Sequence, residues 1–230
     1  MTLRWGRLRP IGRLARRAFL SARFRLFQRQ RYARLVLEHI DGRPLLILPQ
    51  VFNPALFDSS VFLAHVLNTE CLQPETAVLD LGTGSGLSAL VAAQRSRCVT
   101  ASDVNPEAVR CAQINALLNH VDERIEVLCG DLFAPIGNRR FDVIVFNPPF
   151  FRGAPQTWLD HAWRSTDVIK RFAAELREHL KPRGFALVIY SSDGDTPALL
   201  RVFEVRGLSV EVAARRDVIS EVLTIYRVTT

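Results

Sequence analysis

Asn147, Pro148, Pro149 and Phe150 follow a run of strand-forming side chains at residues 141–146. Together they could hold a planar nitrogen, such as an amide or the exocyclic amine of a base. The Asn147 side-chain oxygen can accept one N–H group, and a backbone carbonyl aimed by the rigid prolines can accept the other. The ring of Phe150 can stack on the flat face of the same group. The motif therefore predicts methyl transfer to a planar nitrogen, whose lone pair must be turned out of its π system.

A glycine-rich turn at residues 80–86 lies upstream, between an apolar run at 76–79 and a helical pattern at 87–93. Glycine accepts positive φ and lets the backbone approach a nucleotide-like ligand, while the helix offers free N–H groups. Gly82 and Gly84 fit the dinucleotide fingerprint, but the third glycine comes one residue early, at Gly86. This spacing favours a ligand without a pyrophosphate. A nicotinamide-dependent oxidoreductase is the alternative.

Two further carboxylates stand at the ends of predicted strands. Asp103 ends a strand at 99–103, about 20 residues past the glycines, where an acid usually binds ribose hydroxyls. Asp131 ends the next strand, which starts at residue 125; its carboxylate could accept an adenine amino group while Leu132 packs on the ring. Asp142 lies within the following strand and receives no role. Because the carboxyl ends of parallel strands meet at one edge, these acids and Asn147 should converge on one crevice.

The alternation of strand and helix patterns predicts an α/β fold. It is a Rossmann-like, mostly parallel sheet of seven strands with helices on both faces and a C-terminal antiparallel hairpin. The predicted strands are 76–79, 99–103, 125–131, 141–146, 185–190, 208–213 and 221–226, and the predicted helices are 87–93, 105–119 and 167–179.

From about residue 51 to about residue 228, the chain resembles class I S-adenosylmethionine-dependent methyltransferases with an N-P-P-[FYW] motif. It is most similar to the HemK-like glutamine-N5 methyltransferases of release factors, in their short, single-domain branch. Besides the two motifs, the resemblance includes the segments 51–54, 58–63, 162–163 and 168–172. The cofactor-binding residues that it implies are Asp80, Gly82, Thr83, Gly84, Gly86, Asp103, Val104, Asp131, Leu132 and Asn147. The catalytic residues that it implies are Asn147, Pro148, Pro149 and Phe150, and no metal is expected.

The resemblance implies a glutamine side-chain amide of a protein as the acceptor, with a translation release factor as the candidate partner. The alternative acceptor is adenine-N6 or guanine-N2 of RNA or DNA, which the same four residues can serve. The chain departs from the family in two ways. Phe150 stands where tyrosine is most frequent, and the helical N-terminal domain of the longer enzymes is missing. A small activating partner subunit is compatible with this resemblance.

The positive charge is concentrated at the N-terminus. Residues 1–40 hold eleven arginines and one acid, Glu38, a net charge of +10, whereas the whole chain carries +7, which leaves −3 for residues 41–230. Residues 1–42 are therefore predicted to be a basic extension, and residues 43–230 the catalytic domain. Apolar residues at helical spacing between positions 11 and 22 indicate a basic amphipathic helix. It could contact nucleic acid or an anionic membrane surface, or it could be a disordered tail or residues added by an upstream start codon.

Cysteine use and targeting patterns indicate a cytoplasmic protein. Cys71, Cys98, Cys111 and Cys129 form no C-x-x-C pair and are expected to be reduced, with three of them in or beside buried elements. Arginines at 23, 25 and 29 interrupt the apolar stretch that an export signal requires, and no segment approaches the roughly 20 apolar residues of a membrane span. The bias of 28 arginines to two lysines favours a bacterial source.

Overall fold

A computed structural model describes residues 34–218 and 221–230. The predicted N-terminal helix lies outside the described residues and stays a prediction. The strands are β1 (Val36–Ile40), β2 (Arg43–Ile47), β3 (Ala77–Leu81), β4 (Cys98–Asp103), β5 (Ile125–Cys129), β6 (Phe141–Phe146), β7 (Phe151–Arg152), β8 (Arg164–Ser165), β9 (Leu180–Ser191), β10 (Ser209–Val218) and β11 (Glu221–Thr229). The helices are α1 (Asp58–Thr69), α2 (Leu87–Ala92), α3 (Pro106–Leu118), α4 (Val168–His179) and α5 (Thr196–Glu204).

The central sheet has seven strands in the order β10-β11-β9-β6-β3-β4-β5. Strand β3 pairs in parallel with β4 and β6, and the parallel pairing continues from β4 to β5 and from β6 to β9. Strand β11 is antiparallel to both β9 and β10. The predicted fold class is confirmed, including the C-terminal antiparallel hairpin.

Each face of the sheet buries its own apolar cluster because neighbouring residues of a strand point to opposite sides. Val78 and Val143 belong to the cluster that includes buried residues of α1, α2 and α3. Leu79 and Ile144 belong to the cluster that includes buried residues of α4 and α5. The predicted helices on both faces are confirmed. Their packing fixes the carboxyl ends of β3, β4 and β6, from which the site residues extend.

Several strand boundaries differ from their predicted positions: β3 and β11 end two and three residues later, β10 ends five residues later, and the changes in β5 and β9 bear on the site. Strand β5 ends at Cys129 rather than at Asp131: Gly130 N still donates to the carbonyl oxygen of Asp103, and the chain then turns at Leu132, whose φ is 47°. Strand β9 begins at Leu180, directly after α4, and not at residue 185. Its register with β6 shifts over residues 181–184, where a Cβ on Gly184 would lie 2.8 Å from the carbonyl oxygen of Phe141.

The hairpin of β1 and β2 crosses the predicted boundary between residues 42 and 43. All five residues of β1 pair with β2, so the end of the predicted extension is a strand and the boundary lies at the hairpin turn. The side chain of Asn53 donates to Glu38 Oε1 at 2.9 Å and accepts from Ala55 N at 2.9 Å. The hairpin thereby contacts the 3₁₀ turn Pro54–Leu56 that leads into α1. This contact matters for the site, since α1 contributes to it.

The prediction that three of the four cysteines lie in or beside the buried core is wrong, because only one of them is buried. Only Cys111 is buried, and its thiol lies 3.1 Å from the carbonyl oxygen of Leu46; Cys71, Cys98 and Cys129 are exposed. Cys98 and Cys129 occupy strand ends, and Cys71 follows α1, where an apolar sequence context does not ensure burial.

Within residues 34–218 and 221–230, no helix has both the length and the apolar character needed to cross a bilayer.

Candidate active site

A cavity of about 490 Å³ opens at the carboxyl ends of the parallel strands. This is the place where open α/β sheets bind their ligands, and its volume suits a small cofactor. The predicted site residues that line it are Asp80, Gly82, Thr83, Gly84, Asp103, Val104, Asp131, Leu132, Asn147, Pro148, Pro149 and Phe150. Of the predicted set, Gly86 alone does not border the cavity.

In the glycine turn after β3, Gly84 and Gly86 have different functions. Gly82, Gly84 and Gly86 have φ values of 66°, 56° and 88°, which glycine adopts with little strain. A Cβ on Gly84 would meet nothing within 4 Å, so the backbone there faces open space. A Cβ on Gly86 would lie 3.2 Å from Ala112 Cα on α3. Gly86 therefore permits close packing of α2 on α3, and its predicted contact with the cofactor is not supported by this position.

Asp80, at the end of β3, organises this turn from inside. Its Oδ2 accepts from Thr83 Oγ1 at 2.6 Å and from Ala89 N at 3.1 Å, so one N–H at the start of α2 is used internally. Burial raises the pKa of Asp80 to about 7, against the lowering effect of these two hydrogen bonds; the nearby charge of Asp103 raises it further. A cation in the cavity would favour the ionised form of Asp80.

This carboxyl group predicts a pH dependence of cofactor binding. Because a bound cation lowers the pKa of Asp80, binding below pH 7 releases a proton, and Kd is expected to rise by up to about tenfold per pH unit as the pH falls below 7. Titration calorimetry with S-adenosylmethionine from pH 5.5 to 8.5 measures this slope. In Asp80→Asn the slope should become clearly shallower, because the amide does not titrate, and the fold should persist, because the amide oxygen can still accept both hydrogen bonds that now go to Oδ2.

The same raised pKa affects stability. The folded state favours protonated Asp80, so its contribution to stability is greatest below its usual pKa of 3.8 and is lost as the pH rises to about 7. The ligand-free Asp80→Asn protein should therefore melt at a higher temperature than the native protein at pH 8, and the difference should shrink at pH 5.

A Kd that does not vary with pH in the native protein would contradict the role of Asp80 in cofactor binding.

Asp103, at the end of β4, holds the glycine turn from the other side. Its Oδ2 accepts from Gly84 N at 2.9 Å and its Oδ1 accepts from Asn105 N at 2.9 Å. Burial raises the pKa of Asp103, while these bonds and the nearby His161 lower it. Each carboxylate oxygen has a second lone pair, so Asp103 can also accept hydrogen bonds from ligand hydroxyls at the cavity wall. Its position fits the predicted ribose contact.

Asp131 has a partner that the sequence did not predict. Its two oxygens form a bidentate ion pair with Arg171 of α4, at 2.5 and 3.2 Å, and Arg171 also lines the cavity. The carboxylate keeps free lone pairs, so an adenine amino group could still donate to it. The next residue, Leu132, is buried and adopts the left-handed backbone at φ 47°. Both residues line the cavity, and their contacts with an adenine ring stay a prediction.

Asn147, after β6, is oriented by two hydroxyl groups from α1. Its Nδ2 donates to Ser60 Oγ at 3.0 Å and to Ser59 Oγ at 3.3 Å. Oδ1 of Asn147 accepts no hydrogen bond from residues 34–218 or 221–230, so it is available to a ligand. Phe150 packs edge-to-face on Tyr190 of β9, with ring centroids 5.4 Å apart. The motif thus offers a carbonyl oxygen and an aromatic ring to the same cavity.

An aromatic cluster that the sequence analysis did not assign to the site completes the wall. Phe52, Phe57 and Trp163 contact one another with centroid distances of 4.6 to 5.1 Å, and all three line the cavity. Trp163 lies in the segment that connects β7 and β8. The same segment holds Trp158 and His161, whose ring centroids are 5.5 Å from each other. Phe52 and Trp163 fall in segments that carry the family resemblance, which was the available signal for their function.

The residues fit S-adenosylmethionine, a cationic cofactor with an adenosine group. Asp80 and Asp103 supply carboxylates, and the open backbone at Gly84 permits close approach. A cationic ligand with hydroxyl groups can satisfy those carboxylates. A nicotinamide-dependent reaction would instead require a suitably placed proton donor, and no lysine or tyrosine is among the described residues that line the cavity.

The fold and this cavity define a class I methyltransferase. The family model for the methyltransferase small domain matches residues 43–216, and the chain belongs to this family. A Methanocaldococcus jannaschii protein named for N5-glutamine methylation of proteins is 30% identical over 195 residues, which cover 81% of this chain and 95% of that protein. The release factor glutamine methyltransferase of Koribacter versatilis is 34% identical over 163 residues, 64% of this chain and 57% of that enzyme.

A third relative has a different acceptor. The tRNA1(Val) (adenine(37)-N6)-methyltransferase of Porphyromonas gingivalis is 37% identical over 128 residues, 50% of this chain and 49% of that enzyme. This chain thus spans nearly the whole M. jannaschii relative but only about half the length of the other two.

Solved structures share the fold. The Mtq2 enzyme of Encephalitozoon cuniculi, solved in complex with Trm112, superposes with a TM-score of 0.61 at 21% identity, over 79% of this chain and 99% of that chain. The Thermus thermophilus 16S rRNA N2 G1207 methyltransferase was solved with S-adenosylmethionine and guanosine. It superposes with a TM-score of 0.66 at 22% identity, over 86% of this chain and 50% of that chain. The protein is an S-adenosylmethionine-dependent methyltransferase.

Proposed function

We propose that the protein methylates the side-chain amide nitrogen of a glutamine in another protein, a release factor being the leading candidate. The observation that carries this proposal is the charge of the cavity wall. Seven carboxylates and two arginines, with no lysine, are among the residues that line it, and both arginines, Arg164 and Arg171, are in ion pairs. Affinity for nucleic acid comes mainly from lysine and arginine contacts with phosphate, which this wall does not favour. An uncharged amide on a protein loop suits it better.

The roles of three of the four motif residues follow from their chemistry. Asn147 Oδ1 accepts one N–H of the glutamine amide, the backbone carbonyl of Pro148 accepts the other, and the Phe150 ring packs on the amide plane. These contacts stabilise an amide whose lone pair has left conjugation, which is the state that reacts. Bound S-adenosylmethionine supplies the activated methyl group. The residues therefore act by positioning and by dipolar stabilisation, with no covalent enzyme intermediate.

The names of the relatives give further support. The M. jannaschii and K. versatilis proteins are named for glutamine methylation, as is a ribosomal protein uL3 glutamine methyltransferase of Bradyrhizobium diazoefficiens that is 36% identical over 121 residues. The second candidate is adenine-N6 methylation of RNA, favoured by the P. gingivalis relative and by the arginine-rich segment outside the described residues. The remaining parts of the proposal are a cytoplasmic location, a bacterial source and a small partner subunit, the last because Mtq2 of E. cuniculi was solved with Trm112.

A labelling assay separates the two acceptor classes. We expect tritiated methyl groups from S-adenosylmethionine to enter lysate protein, so that protease removes the label from the high-molecular-weight fraction and nucleases do not. Deleting residues 1–33, which leaves the β1–β2 hairpin intact, should change the labelling rate little. Label that survives protease but is lost with ribonuclease or deoxyribonuclease would contradict the proposal. A nucleic-acid enzyme that binds through this segment should instead lose most of its activity and much of its salt sensitivity on deletion.

A further inference from the structure

The side-chain amide of Asn147 can present either its oxygen or its NH₂ group to an acceptor. The terminal torsion of asparagine is broad and roughly two-fold, so rotation about it is not fixed by the backbone. Only the oxygen can accept an N–H from the acceptor, whereas the NH₂ group would face it as a second donor. A clamp made by asparagine therefore needs another group to fix the amide.

Two hydroxyl groups occupy the right place to fix it. The single nitrogen Nδ2 of Asn147 lies 3.0 Å from Ser60 Oγ and 3.3 Å from Ser59 Oγ, so each of its two N–H bonds has an acceptor. Ser59 is buried, and both serines line the cavity beside Asn147. With both N–H groups engaged, the oxygen Oδ1 is the polar atom left for the substrate.

The serines are held by the start of α1. They occupy the second and third positions of this helix. The chain that leads into the helix is held by the 3₁₀ turn Pro54–Leu56 and by the Asn53–Glu38 hydrogen bond. Helix α1 also packs on α2 and on β9. The two hydroxyls therefore belong to a rigid element that precedes the motif by almost 90 residues of chain.

We propose that Ser59 and Ser60 are positioning residues that set the amide of Asn147 with its oxygen toward the acceptor nitrogen. This inference rests on the proposed function, because it assumes that Asn147 holds the acceptor. The serines act through Asn147 and do not themselves need to touch the substrate. Their loss should slow methyl transfer by allowing amide orientations in which the NH₂ group competes with the acceptor.

The test uses Ser59→Ala, Ser60→Ala, the double variant, and Ser60→Thr, which keeps the hydroxyl. The probe is tritiated S-adenosylmethionine with cell lysate at saturating concentration. From the contribution of a neutral hydrogen bond, each single alanine should lower the labelling rate about 3- to 10-fold and the double variant about 10- to 50-fold. Cofactor Kd and the lysate concentration for half-maximal rate should stay unchanged, and Ser60→Thr should retain most of the rate.

A readout independent of turnover follows the amide itself. The side-chain NH₂ signals of Asn147 are those missing from the ¹H–¹⁵N spectrum of Asn147→Ala. They should exchange slowly with solvent in the native protein and faster in the double alanine variant. Thr69→Val is the matched control: it removes a hydroxyl from the other end of α1 that donates to Val66 O, outside the cavity, and should alter neither rate nor exchange.

Each outcome is decisive. A native labelling rate in the double variant, or a loss that only parallels a fall in melting temperature or in cofactor affinity, overturns the positioning role. If Asn147→Ala is inactive while the double serine variant is fully active, this inference fails and the proposed function stands. If Asn147→Ala itself stays active, the proposed function fails.

Discussion

Replacing Asn147 with alanine is expected to lower the methylation rate at least about 100-fold, comparable to the loss of one dipolar group that stabilises a reacting centre. The variant removes the oxygen that accepts one N–H of the substrate nitrogen. Although the resemblance also counts Asn147 among the cofactor-binding residues, the variant's affinity for S-adenosylmethionine should change little, because the hydrogen bonds that hold the glycine turn to Asp80 and Asp103 do not involve this side chain. Labelling kinetics and calorimetry on the same protein measure the two effects separately.

Asn119→Ala is the matched control for this prediction. Asn119, which follows α3, donates to Pro44 O of β2 and to Asn115 O of α3, and none of the three lines the cavity, so its loss should lower stability and leave the methylation rate per folded molecule unchanged. If Asn147→Ala keeps more than about a tenth of the native rate, which corresponds to under ~1.4 kcal/mol, Asn147 does not hold the acceptor nitrogen.

Replacing Asp103 with alanine is expected to weaken S-adenosylmethionine binding by about 10- to 100-fold, from the loss of charge-assisted hydrogen bonds to the ligand. The structure adds a second cause. Asp103 also accepts from Gly84 N and Asn105 N, so the variant loosens the glycine turn and the start of α3. Calorimetry gives the Kd, and the maximal rate at saturating cofactor should fall much less than the affinity.

Asp142→Ala separates binding from general stability. Asp142 Oδ2 accepts from Ala77 N and pairs with Lys181 at 2.8 Å, at the opposite end of β6 from Asn147. This variant should melt earlier but bind the cofactor with the native Kd. If both variants weaken binding equally, or if Asp103→Ala changes Kd by less than about threefold, the assignment of Asp103 to the cofactor is contradicted.

The sequence by itself predicted the elements that alternate along the chain and the residues at their ends. Strand patterns followed by glycines or acids are local signals, because buried strands are apolar and turns require special backbone conformations. Parallel strands then bring their carboxyl ends to one edge, so Asp80, Asp103 and Asn147 could be placed together before any distance was known. The family resemblance added the cofactor and the acceptor nitrogen.

The tertiary structure alone decided how these residues are held. Nothing local to Asn147 indicates Ser59 and Ser60, because the contact joins segments almost 90 residues apart. The same holds for the pairing of Arg171 with Asp131 across 40 residues. Hydrogen bonds between distant segments depend on how helices pack against the sheet, which a pattern in one segment does not encode.

Burial was also decided by position in the fold. Gly86 has the residue type of a ligand-binding glycine, yet it serves the packing of α2 against Ala112 of α3. Cys98 and Cys129 stand in apolar strands, yet their places at strand ends expose them. A residue's chemistry is fixed by the sequence, whereas its access to solvent, ligand or partner is fixed by the elements that surround it. In this protein the sequence therefore supplies the candidate reacting groups, and the packing of α1, α3 and α4 around the sheet determines which groups face the cavity and in which orientation.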